Sequence, residues 1–464
     1  MKNLVYSLVL LFGLVCMPSG WAQEKEMPPQ GGTPKNFSLP AKEVVTLDNG
    51  LTVVMVPYGT LPKATIQVVV KTGNINEAAD EVWLCDMMTD LMKEGSTSFS
   101  AKEIADKMAG MGGNLNIGTG MHTLSLSTSV LYEFAPDALA LMADVLVNPS
   151  FPESELDRLK NNMKRSLAVS LSNPQNQAQQ DFYSTLYPDH PYGRVYPTEA
   201  MVEGYTVEAI KGFYDAQLGA KRTTVYLAGK FDKKKVMKQI ETSFSAWKAG
   251  EASSYPIAKA ADLSQVNIID RPDAPQSTMY YGLPTIDPSH PDYIALDVAN
   301  SILGGSFASR ITSNIREDKG YTYSPYSALV SNYKTGLWFE AADVTTDVTG
   351  ASIKEINYEI NRLQNEAPSQ EELDGIINYE SGIYVLQNST PGGIIGQLVF
   401  LDIHDLDESF LTDKVKNMHA VTPEKVQQVV KDYIRPEDMS LIVVGDKLKI
   451  KDQIQETLKQ PIKE

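Results

Sequence analysis

Thr224-Val225-Tyr226-Leu227-Ala228-Gly229 is a short, nearly continuous apolar run, and a run of the same kind, Leu441-Ile442-Val443-Val444-Gly445, ends 216 positions later. Each run follows a triplet that opens a helix, Thr206-Val207-Glu208 in the first case and Thr422-Pro423-Glu424 in the second, again 216 positions apart. Apolar runs bounded by glycine are typical of buried strands. A strand that recurs together with the preceding helix start indicates an internal duplication.

Two further pairs of segments support this interpretation. Glu94-Gly95-Ser96 is matched by Gly304-Gly305-Ser306 at a shift of 210, and Glu155-Leu156-Asp157 is matched by Glu372-Leu373-Asp374 at a shift of 217. A nearly constant shift across most of a half-chain predicts two similar lobes of about 200 residues each. Residues 249–264, rich in Ala, Ser and Gly, are the natural linker between them.

The order of the predicted elements favours an α+β fold. Asp48-Asn49-Gly50 between two apolar-rich runs predicts a β-hairpin, and the helical patterns that follow occur in clusters. We therefore predict two homologous lobes, each a mixed or antiparallel sheet with helices on one face, joined by a linker and enclosing a cleft. The predicted boundaries are 37–248 for the N-terminal lobe, 249–264 for the linker and 265–464 for the C-terminal lobe.

The N-terminus indicates export. Lys2, an apolar run from Leu4 to Cys16 and a small-residue exit at Ala22 predict a signal peptide over 1–22, because the run is too short to span a bilayer. A lipoprotein reading at Cys16 is disfavoured because bulky Val15 precedes it. Residues 23–36, rich in Pro and Gly, predict a flexible arm, and we expect the mature chain in the periplasm.

Composition excludes several partners. Asp and Glu number 58 against 41 Lys and Arg, a net charge of −17, and basic residues form no cluster. Nucleic acid and anionic membrane surfaces are therefore disfavoured as partners. After the signal peptide no apolar run approaches the length of a membrane span, and we expect no integral membrane segment.

Three stretches of the sequence form a recognisable set. Residues 300–310 contain Leu303-Gly304-Gly305 and then Ser309-Arg310, residues 314–324 contain Arg316-Glu317, Gly320 and Tyr323, and residues 189–194 read Asp-His-Pro-Tyr-Gly-Arg. In these stretches the chain resembles the pitrilysin/insulinase-like zinc peptidases or inverzincins, in particular the bacterial processing-peptidase-like members of that family. The resemblance covers nearly the whole mature chain and implies the same two-lobed fold. We expect a tight turn at Gly304-Gly305.

The zinc motif of that family is missing here. Family members carry His-x-x-Glu-His on a helix, where two histidines bind zinc and the Glu acts as general base. Counting back from Gly95 places Asp86, Thr89 and Asp90 on the positions of the first histidine, the Glu and the second histidine. The region expected to supply the third ligand, 163–172, holds no acidic residue, and none of the chain's five histidines lies four residues from another. We therefore expect no metal or other cofactor on this chain, with zinc in a partner.

Arg316 and Tyr323 are present with the family's spacing of seven residues. The resemblance implies that these two residues hold substrate and stabilise the oxyanion formed at a zinc site. An arginine fork and a phenol hydroxyl are suited to that role because both donate hydrogen bonds to developing negative charge. The alternative is structural, with Arg316 paired to Glu317 or Asp318 and Tyr323 packed in a strand that runs through Ser327.

Other candidate residues have structural alternatives as well. Asp86, Thr89, Asp90 and Lys93 form one polar stripe of a helix, which we interpret as a solvated face with an Asp90–Lys93 pair in preference to a carboxylate metal site. Cys85 on the same helix is expected to be a buried small residue rather than a reactive thiol. The strand at 114–119 is either an edge that binds peptide by strand addition, through Asn114, Asn116 and Gly118, or an ordinary hairpin arm.

The sequence thus predicts a catalytically incomplete subunit of a heteromeric zinc metalloendopeptidase. Such a subunit cleaves peptides only as a heterodimer with a zinc-bearing family member, to which it contributes Arg316 and Tyr323. The alternative is a non-catalytic peptide-binding or scaffold protein of the same fold. A self-sufficient hydrolase built on Asp86 and Asp90 is the least favoured hypothesis.

Overall fold

The computed structural model describes residues 38–259 and 264–462. The predicted signal peptide, with Cys16, and the predicted flexible arm lie outside the described residues, as do four residues of the predicted linker. Among the described residues no helix is both long and apolar enough to cross a bilayer.

The first half of the chain forms a six-stranded mixed sheet. Its strands are β1 (Glu43–Thr46), β2 (Thr52–Pro57), β3 (Lys63–Val70), β4 (Asn116–Thr119), β5 (Leu124–Leu131) and β6 (Thr223–Gly229). Their order is β1-β2-β6-β3-β5-β4, in which only β2 and β6 run parallel. The predicted hairpin at Asn49-Gly50 joins β1 to β2, and Gly50 has the positive φ of 94° that favours glycine.

Helices cover one face of this sheet and bury a common apolar core with it. Apart from α5 (Pro174–Leu186), which packs elsewhere, they are α1 (Leu84–Met92), α2 (Ala101–Gly110), α3 (Ala135–Val147), α4 (Glu153–Ser172), α6 (Glu199–Gly204), α7 (Val207–Gln217) and α8 (Lys233–Phe244). The start of α2 shows how local sequence sets these bounds. Ser100 accepts from the Glu103 N–H while Glu103 accepts from the Ser100 N–H, a capping box that fixes the first turn.

The second half repeats this sheet with one strand fewer. Its strands are β7 (Val266–Asp270), β8 (Gln276–Thr285), β9 (Tyr326–Asn332), β10 (Thr335–Thr345) and β11 (Ser440–Gly445). Their order is β7-β11-β8-β10-β9. Strands β7 to β11 thus occupy the same places, in the same chain order, as β2 to β6 in the first sheet, whose order is β2-β6-β3-β5-β4. The parallel pair, β7 with β11, also occupies the equivalent place. The two sheets therefore share one topology, as the predicted duplication requires.

The helices of the second half build a separate core on one face of their sheet. Apart from α12 (Pro391–His404), which packs elsewhere, they are α9 (Tyr293–Asn300), α10 (Thr349–Asn365), α11 (Gln370–Gln387), α13 (Ser409–Thr412), α14 (Lys414–His419), α15 (Pro423–Tyr433) and α16 (Lys447–Leu458). Two π-helical segments, Ser301–Gly305 and Thr312–Asp318, lie between α9 and β9. The tight turn expected at Gly304-Gly305 is therefore wrong, because these glycines end a π-helical segment that continues from α9.

The two halves exchange equivalent helices. Helix α5 begins at Pro174 and α12 at Pro391, 217 positions later, and each follows a polar N-cap residue whose side chain accepts a backbone N–H. Phe182 of α5 packs on the outer face of the second sheet with Tyr280 and Phe339. Each sheet is covered on one face by helices of the same half, as predicted. The exchanged helix of the other half covers the opposite face.

Helix α12 makes the reciprocal contact on the first sheet. Its apolar residues Ile394, Ile395 and Leu398 pack on Val54 and Tyr226 of β2 and β6. Burying side chains of this size contributes roughly 1.5–3 kcal/mol each. Beside α12 the junction leaves a cavity of about 420 Å³, lined by Lys71 and Asp402, which form an ion pair at 2.9 Å. Neither sheet is fully covered without the other half.

Candidate functional site

Helix α1 carries the three positions where the family has its zinc motif. Asp86 and Thr89 lie on its inner side, and Thr89 is only 2% exposed. The Thr89 hydroxyl donates to the Asp86 carbonyl at 2.9 Å and lies 3.2 Å from the Thr119 hydroxyl of β4. The predicted solvated face is therefore wrong for these two residues, which are packed between the helix and the sheet.

Asp86 is held by an amide rather than by a metal ligand set. Its Oδ2 accepts from Asn74 Nδ2 at 2.7 Å. Burial raises the pKa of Asp86 to about 6, with a smaller upward contribution from the charge of Asp90. This carboxyl is consequently a weaker acid and a poorer anionic ligand than an exposed aspartate.

Asp90 forms the predicted pair with Lys93, whose Nζ lies 2.7 Å from its Oδ1. Within residues 38–259 and 264–462 no group of three or more His, Cys, Asp or Glu side chains is arranged to hold a metal ion. Zinc prefers histidine nitrogen, thiolate sulfur or carboxylate oxygen in a tetrahedral set. The residues at these positions do not fit a zinc ion, because the Asp86 carboxyl is bound to the Asn74 amide and the Asp90 carboxyl to Lys93.

Cys85 is fully buried on the same helix, as expected. Its Sγ lies 3.5 Å from the Thr119 hydroxyl. Burial raises the pKa of the Cys85 thiol well above its usual value. A protonated, inaccessible thiol is a poor nucleophile.

Glu77 and Trp83 determine the backbone conformation at the start of α1, although no sequence pattern singled them out. Glu77 accepts from the backbone N–H groups of Trp83 and Cys85 at 3.0 and 2.8 Å. Burial raises the pKa of Glu77 to about 8, although these hydrogen bonds oppose the rise. Trp83 has a positive φ of 69°, an unusual conformation for a bulky residue. The only sequence signal was an acidic residue upstream of the helix start.

Arg316 lies on the second π-helical segment of the C-terminal half. Its Nε lies 3.0 Å from Glu317 Oε1, so the pairing offered as the structural alternative does form. Its guanidinium carbon also lies over two aromatic rings, 4.6 Å from the centre of Phe307 and 4.9 Å from the centre of Tyr323. The pairing and the stacking together hold the guanidinium plane in one orientation.

Tyr323 is 79% exposed. The alternative that placed it in a strand through Ser327 is wrong, because β9 begins at Tyr326 and Tyr323 lies in the preceding loop. Phe307, which falls within the 300–310 stretch of the family resemblance, is 68% exposed. Exposed aromatic rings of this size usually mark a binding surface. An aromatic residue two positions after Gly304-Gly305 was the feature of the sequence that could have drawn attention to Phe307.

One ion pair and one amide–carboxylate hydrogen bond anchor the segment that carries Arg316 and Phe307. Arg310 donates twice to the Glu372 carboxylate of α11, both times at 2.8 Å. Asn314 donates to Glu359 of α10 at 2.8 Å. Bidentate arginine–carboxylate pairs are geometrically restrictive, so the aromatic–arginine cluster is fixed to two long helices.

The proposed peptide-binding residues lie at one edge of the first sheet. Strand β4 pairs only with β5 among the described residues, which leaves its other edge open. Asn116 and Gly118 are in this strand, whereas Asn114 precedes it and donates to Asn116 at 2.9 Å. A cavity of about 230 Å³ lies beside the edge and is lined by Leu115 and Ile117. The strand is thus both a hairpin arm and an accessible edge.

Arg316 and Tyr323 both carry hydrogen-bond donors, and the half-buried guanidinium of Arg316 lies against the exposed rings of Phe307 and Tyr323. The first lobe supplies neither a metal ligand set nor an exposed nucleophile at the corresponding helix. The two exchanged α+β halves have the two-lobed fold that the sequence resemblance implies.

Comparisons with known proteins identify the family. Residues 53–197 match the model of Insulinase (Peptidase family M16), and residues 204–379 match that of the Peptidase M16 inactive domain. Together these matches cover more than half of the chain. The chain belongs to peptidase family M16, the family that its sequence resembles.

Individual relatives agree with this assignment. An uncharacterized zinc protease of Rickettsia felis is 26% identical over 348 residues, which are 74% of this chain and 82% of that protein. A Helicobacter pylori protein described as a non-peptidase homolog is 20% identical over 395 residues, covering 84% and 91%. A crystal structure of a protease from Helicobacter pylori has a TM-score of 0.82 at 20% identity, covering 88% and 100%. At that identity the structural similarity establishes the fold alone.

Proposed function

We propose that this chain is the non-metal subunit of a heteromeric zinc metalloendopeptidase and contributes Arg316 and Tyr323 to the zinc site of a partner. The observation that supports this most directly is that the half-buried Arg316 stacks on the exposed rings of Phe307 and Tyr323, on a chain whose own zinc positions are occupied by Asp86, Thr89 and Asp90. An oriented arginine with two exposed aromatic neighbours is an expected feature of a binding surface and an unusual one on a free surface.

The chemistry assigned to this chain is donation of hydrogen bonds. In the proposed complex Arg316 and Tyr323 donate to the peptide carbonyl oxygen that becomes an oxyanion when water attacks. Because the pairing with Glu317 uses Nε, the two Nη groups remain to make these contacts. Removing one such donor reduces turnover by roughly 10²–10³-fold, equivalent to about 3–4 kcal/mol. The partner supplies the zinc, the general base and the third ligand.

We place this complex in the periplasm, as a heterodimer acting on unfolded peptides. The predicted signal peptide supports export, and the open edge of β4 supports recognition of an extended chain. Strand addition selects backbone rather than side chains, so the substrates are defined by being extended and small enough to enter the complex.

The test is hydrolysis of quenched fluorescent peptides by the purified mature chain, alone and mixed with a zinc-motif family member encoded in the same genome. We expect cleavage only in the mixture, abolished by a chelator. Arg316→Ala should lower the turnover of the mixture by about 10²-fold while co-elution of the two chains is unchanged. Arg158→Ala, which removes an exposed arginine paired with Glu155, is the matched control. Full activity of the Arg316→Ala mixture contradicts the proposal.

A second function has its own support. The Helicobacter pylori relative is described as a non-peptidase homolog, and the open β4 edge needs no metal to bind peptide. In this alternative the chain binds peptide or serves as a scaffold. Peptide binding by the chain alone, with no cleavage in any mixture, would favour it.

A further inference from the structure

A cavity of about 260 Å³ lies beside the start of α1, at the junction of the two halves. Its lining comes from the loop before α1, from α5, from the segment that follows it and from the end of β9. The residues that matter here are Trp83, Tyr183, Tyr192, Arg194 and Asn332. The cavity is smaller than those that hold drug-sized ligands, so its occupant has the size of a single amino-acid residue.

Arg194 is the one ionised side chain among the described residues that line this cavity. It is half-buried, and Nη1 donates to the Glu77 carbonyl at 3.2 Å. In the part of the chain that the structure describes, no carboxylate lies within ion-pair distance of it. A partly buried guanidinium without a counter-charge is a site for an anion, because arginine binds carboxylates through paired N–H groups.

Asn332 provides an independent observation from the second half of the chain. The residue is 7% exposed, and its Nδ2 is buried without a hydrogen-bond partner. Buried polar groups are nearly always paired, so an unpaired amide on a cavity wall requires an explanation. Because Nδ2 itself is buried, the amide has to rotate about χ2 to present this donor to an acceptor atom bound in the cavity.

The remaining walls are aromatic. Trp83 keeps its positive φ, and its Nε1 donates to the Val195 carbonyl at 3.1 Å. The Tyr192 hydroxyl is already bound to His122 Nε2 at 2.8 Å and to the Tyr333 N–H at 2.9 Å, so this residue is held rigidly. Strained backbone that persists in a well-packed setting is common at ligand sites. These two rings favour an apolar body.

Nearby acids do not reverse the charge preference of the cavity. Glu77 and Asp86 both accept from Asn74 Nδ2, at 3.1 and 2.7 Å, and neither is among the lining residues. The lining itself is therefore rich in donors and carries positive charge.

We propose that this cavity binds a small carboxylate with an aromatic or branched apolar body, such as the C-terminal residue of a peptide. Arg194 and, after rotation of its amide, Asn332 Nδ2 donate to the carboxylate, and the apolar part of the ligand lies between Trp83 and Tyr192. The site is separate from the Arg316 cluster and needs neither zinc nor a partner chain.

The experiment is calorimetric titration of the mature chain, without any partner, with N-acetyl-L-phenylalanine and with N-acetyl-L-phenylalaninamide. The two probes share one body and differ in the carboxylate. We expect the acid to bind at least about tenfold more tightly than the amide, the factor that one charge-assisted contact supplies. Asn332→Asp, a nearly isosteric change that places a carboxylate at the same point, should remove that preference, as should Arg194→Gln. The exposed Asn161→Asp is the matched control.

Equal affinity for acid and amide overturns the proposal, as does acid binding by Asn332→Asp that matches the unmodified chain. Absence of measurable binding of either probe at millimolar concentration also overturns it. Thermal unfolding of each variant shows whether it is folded, and Asn332→Asp remains decisive if Arg194→Gln does not fold. Because no partner or zinc is present, failure here leaves the proposed peptidase role to be judged by its own assay.

Discussion

Arg316 and Phe307 are stacked, with the guanidinium carbon 4.6 Å from the centre of the phenyl ring. Phe307 lies between the two π-helical segments, whereas Arg316 lies in the second of them. An exposed cation–π contact contributes about 0.5–1 kcal/mol. Phe307 therefore acts on the proposed chemistry by positioning Arg316 rather than by touching the reacting atoms.

We predict that Phe307→Leu lowers kcat/KM of the mixed complex by about two- to fivefold, because the guanidinium loses a fixed orientation worth about 0.5–1 kcal/mol. The thermal stability of the chain should not change, since Phe307 is mostly exposed. Phe307→Tyr keeps the ring and should restore activity. Identical rates for Phe307→Leu and the unmodified chain would show that the stacking has no role in catalysis.

Glu340 is expected to make the protein less stable as pH rises. It is fully buried in β10, and neither carboxyl oxygen has a partner. Burial raises the pKa of Glu340 well above its usual value. The folded state therefore binds a proton that the unfolded state releases above pH about 4.3, and stability falls as pH rises from there toward the folded pKa.

Glu340→Gln removes this titration, so it should raise the free energy of unfolding by at least about 1 kcal/mol at pH 8 and by little at pH 5. Chemical denaturation at the two pH values measures the difference. The exposed Glu456→Gln serves as control. A gain that is the same at both pH values would mean that the buried carboxyl is not the titrating group.

His122 and His404 predict the opposite response at low pH. Their rings, one from each half, lie 6.4 Å apart, and burial lowers the pKa of each to about 4. Asp405 and Asp287 oppose the shift at His404, and Lys334 adds to it. Stability is therefore complete above pH about 6.5 and is lost as pH falls from there toward 4.

His404→Leu should flatten this acid-induced loss, by on the order of 2 kcal/mol between pH 6.5 and 4. The effect is measured as the unfolding midpoint in denaturant at a series of pH values, with the exposed His419→Gln as control. An unchanged pH profile for His404→Leu would contradict the assignment.

The exchanged helices predict one cooperative unfolding transition. Phe182 of α5 and Ile395 of α12 are both fully buried against the sheet of the other half. Phe182→Ala should destabilise the protein by about 3–5 kcal/mol and Ile395→Ala by about 2–5 kcal/mol. Calorimetry should show a single peak that moves as a whole. Two peaks, of which only one moves, would mean that the halves unfold independently.

Much of the architecture was predictable because it is written in local patterns. The constant shift of about 216 residues predicted the duplication, and the two sheets have the same strand order. Asn49-Gly50 predicted the first hairpin, which joins β1 to β2. These features depend on turn chemistry and hydrophobic periodicity, which short stretches specify.

Features that depend on contacts distant in sequence were not predictable. Nothing local distinguishes α5, which covers the other half's sheet, from a helix that packs on its own. Thr89 was interpreted as solvated because the stripe is polar, but β4 brings Thr119 to it from 30 residues away. Phe307 gained its significance only when the π-helical segments brought it over Arg316. Arg316 and Tyr323 stay a prediction, which rests on their spacing in a family signature.

The reciprocal exchange of α5 and α12 has a consequence for how the chain is assembled. Each half of the chain places one helix on the sheet of the other half and depends on the other half to cover the second face of its own sheet. This is the arrangement of a domain-swapped dimer, here with the two copies joined end to end and since diverged in sequence. In such an assembly the covalent joint supplies only proximity during folding. Proteolytic nicking within 249–264 should therefore leave two fragments that remain associated as one native particle.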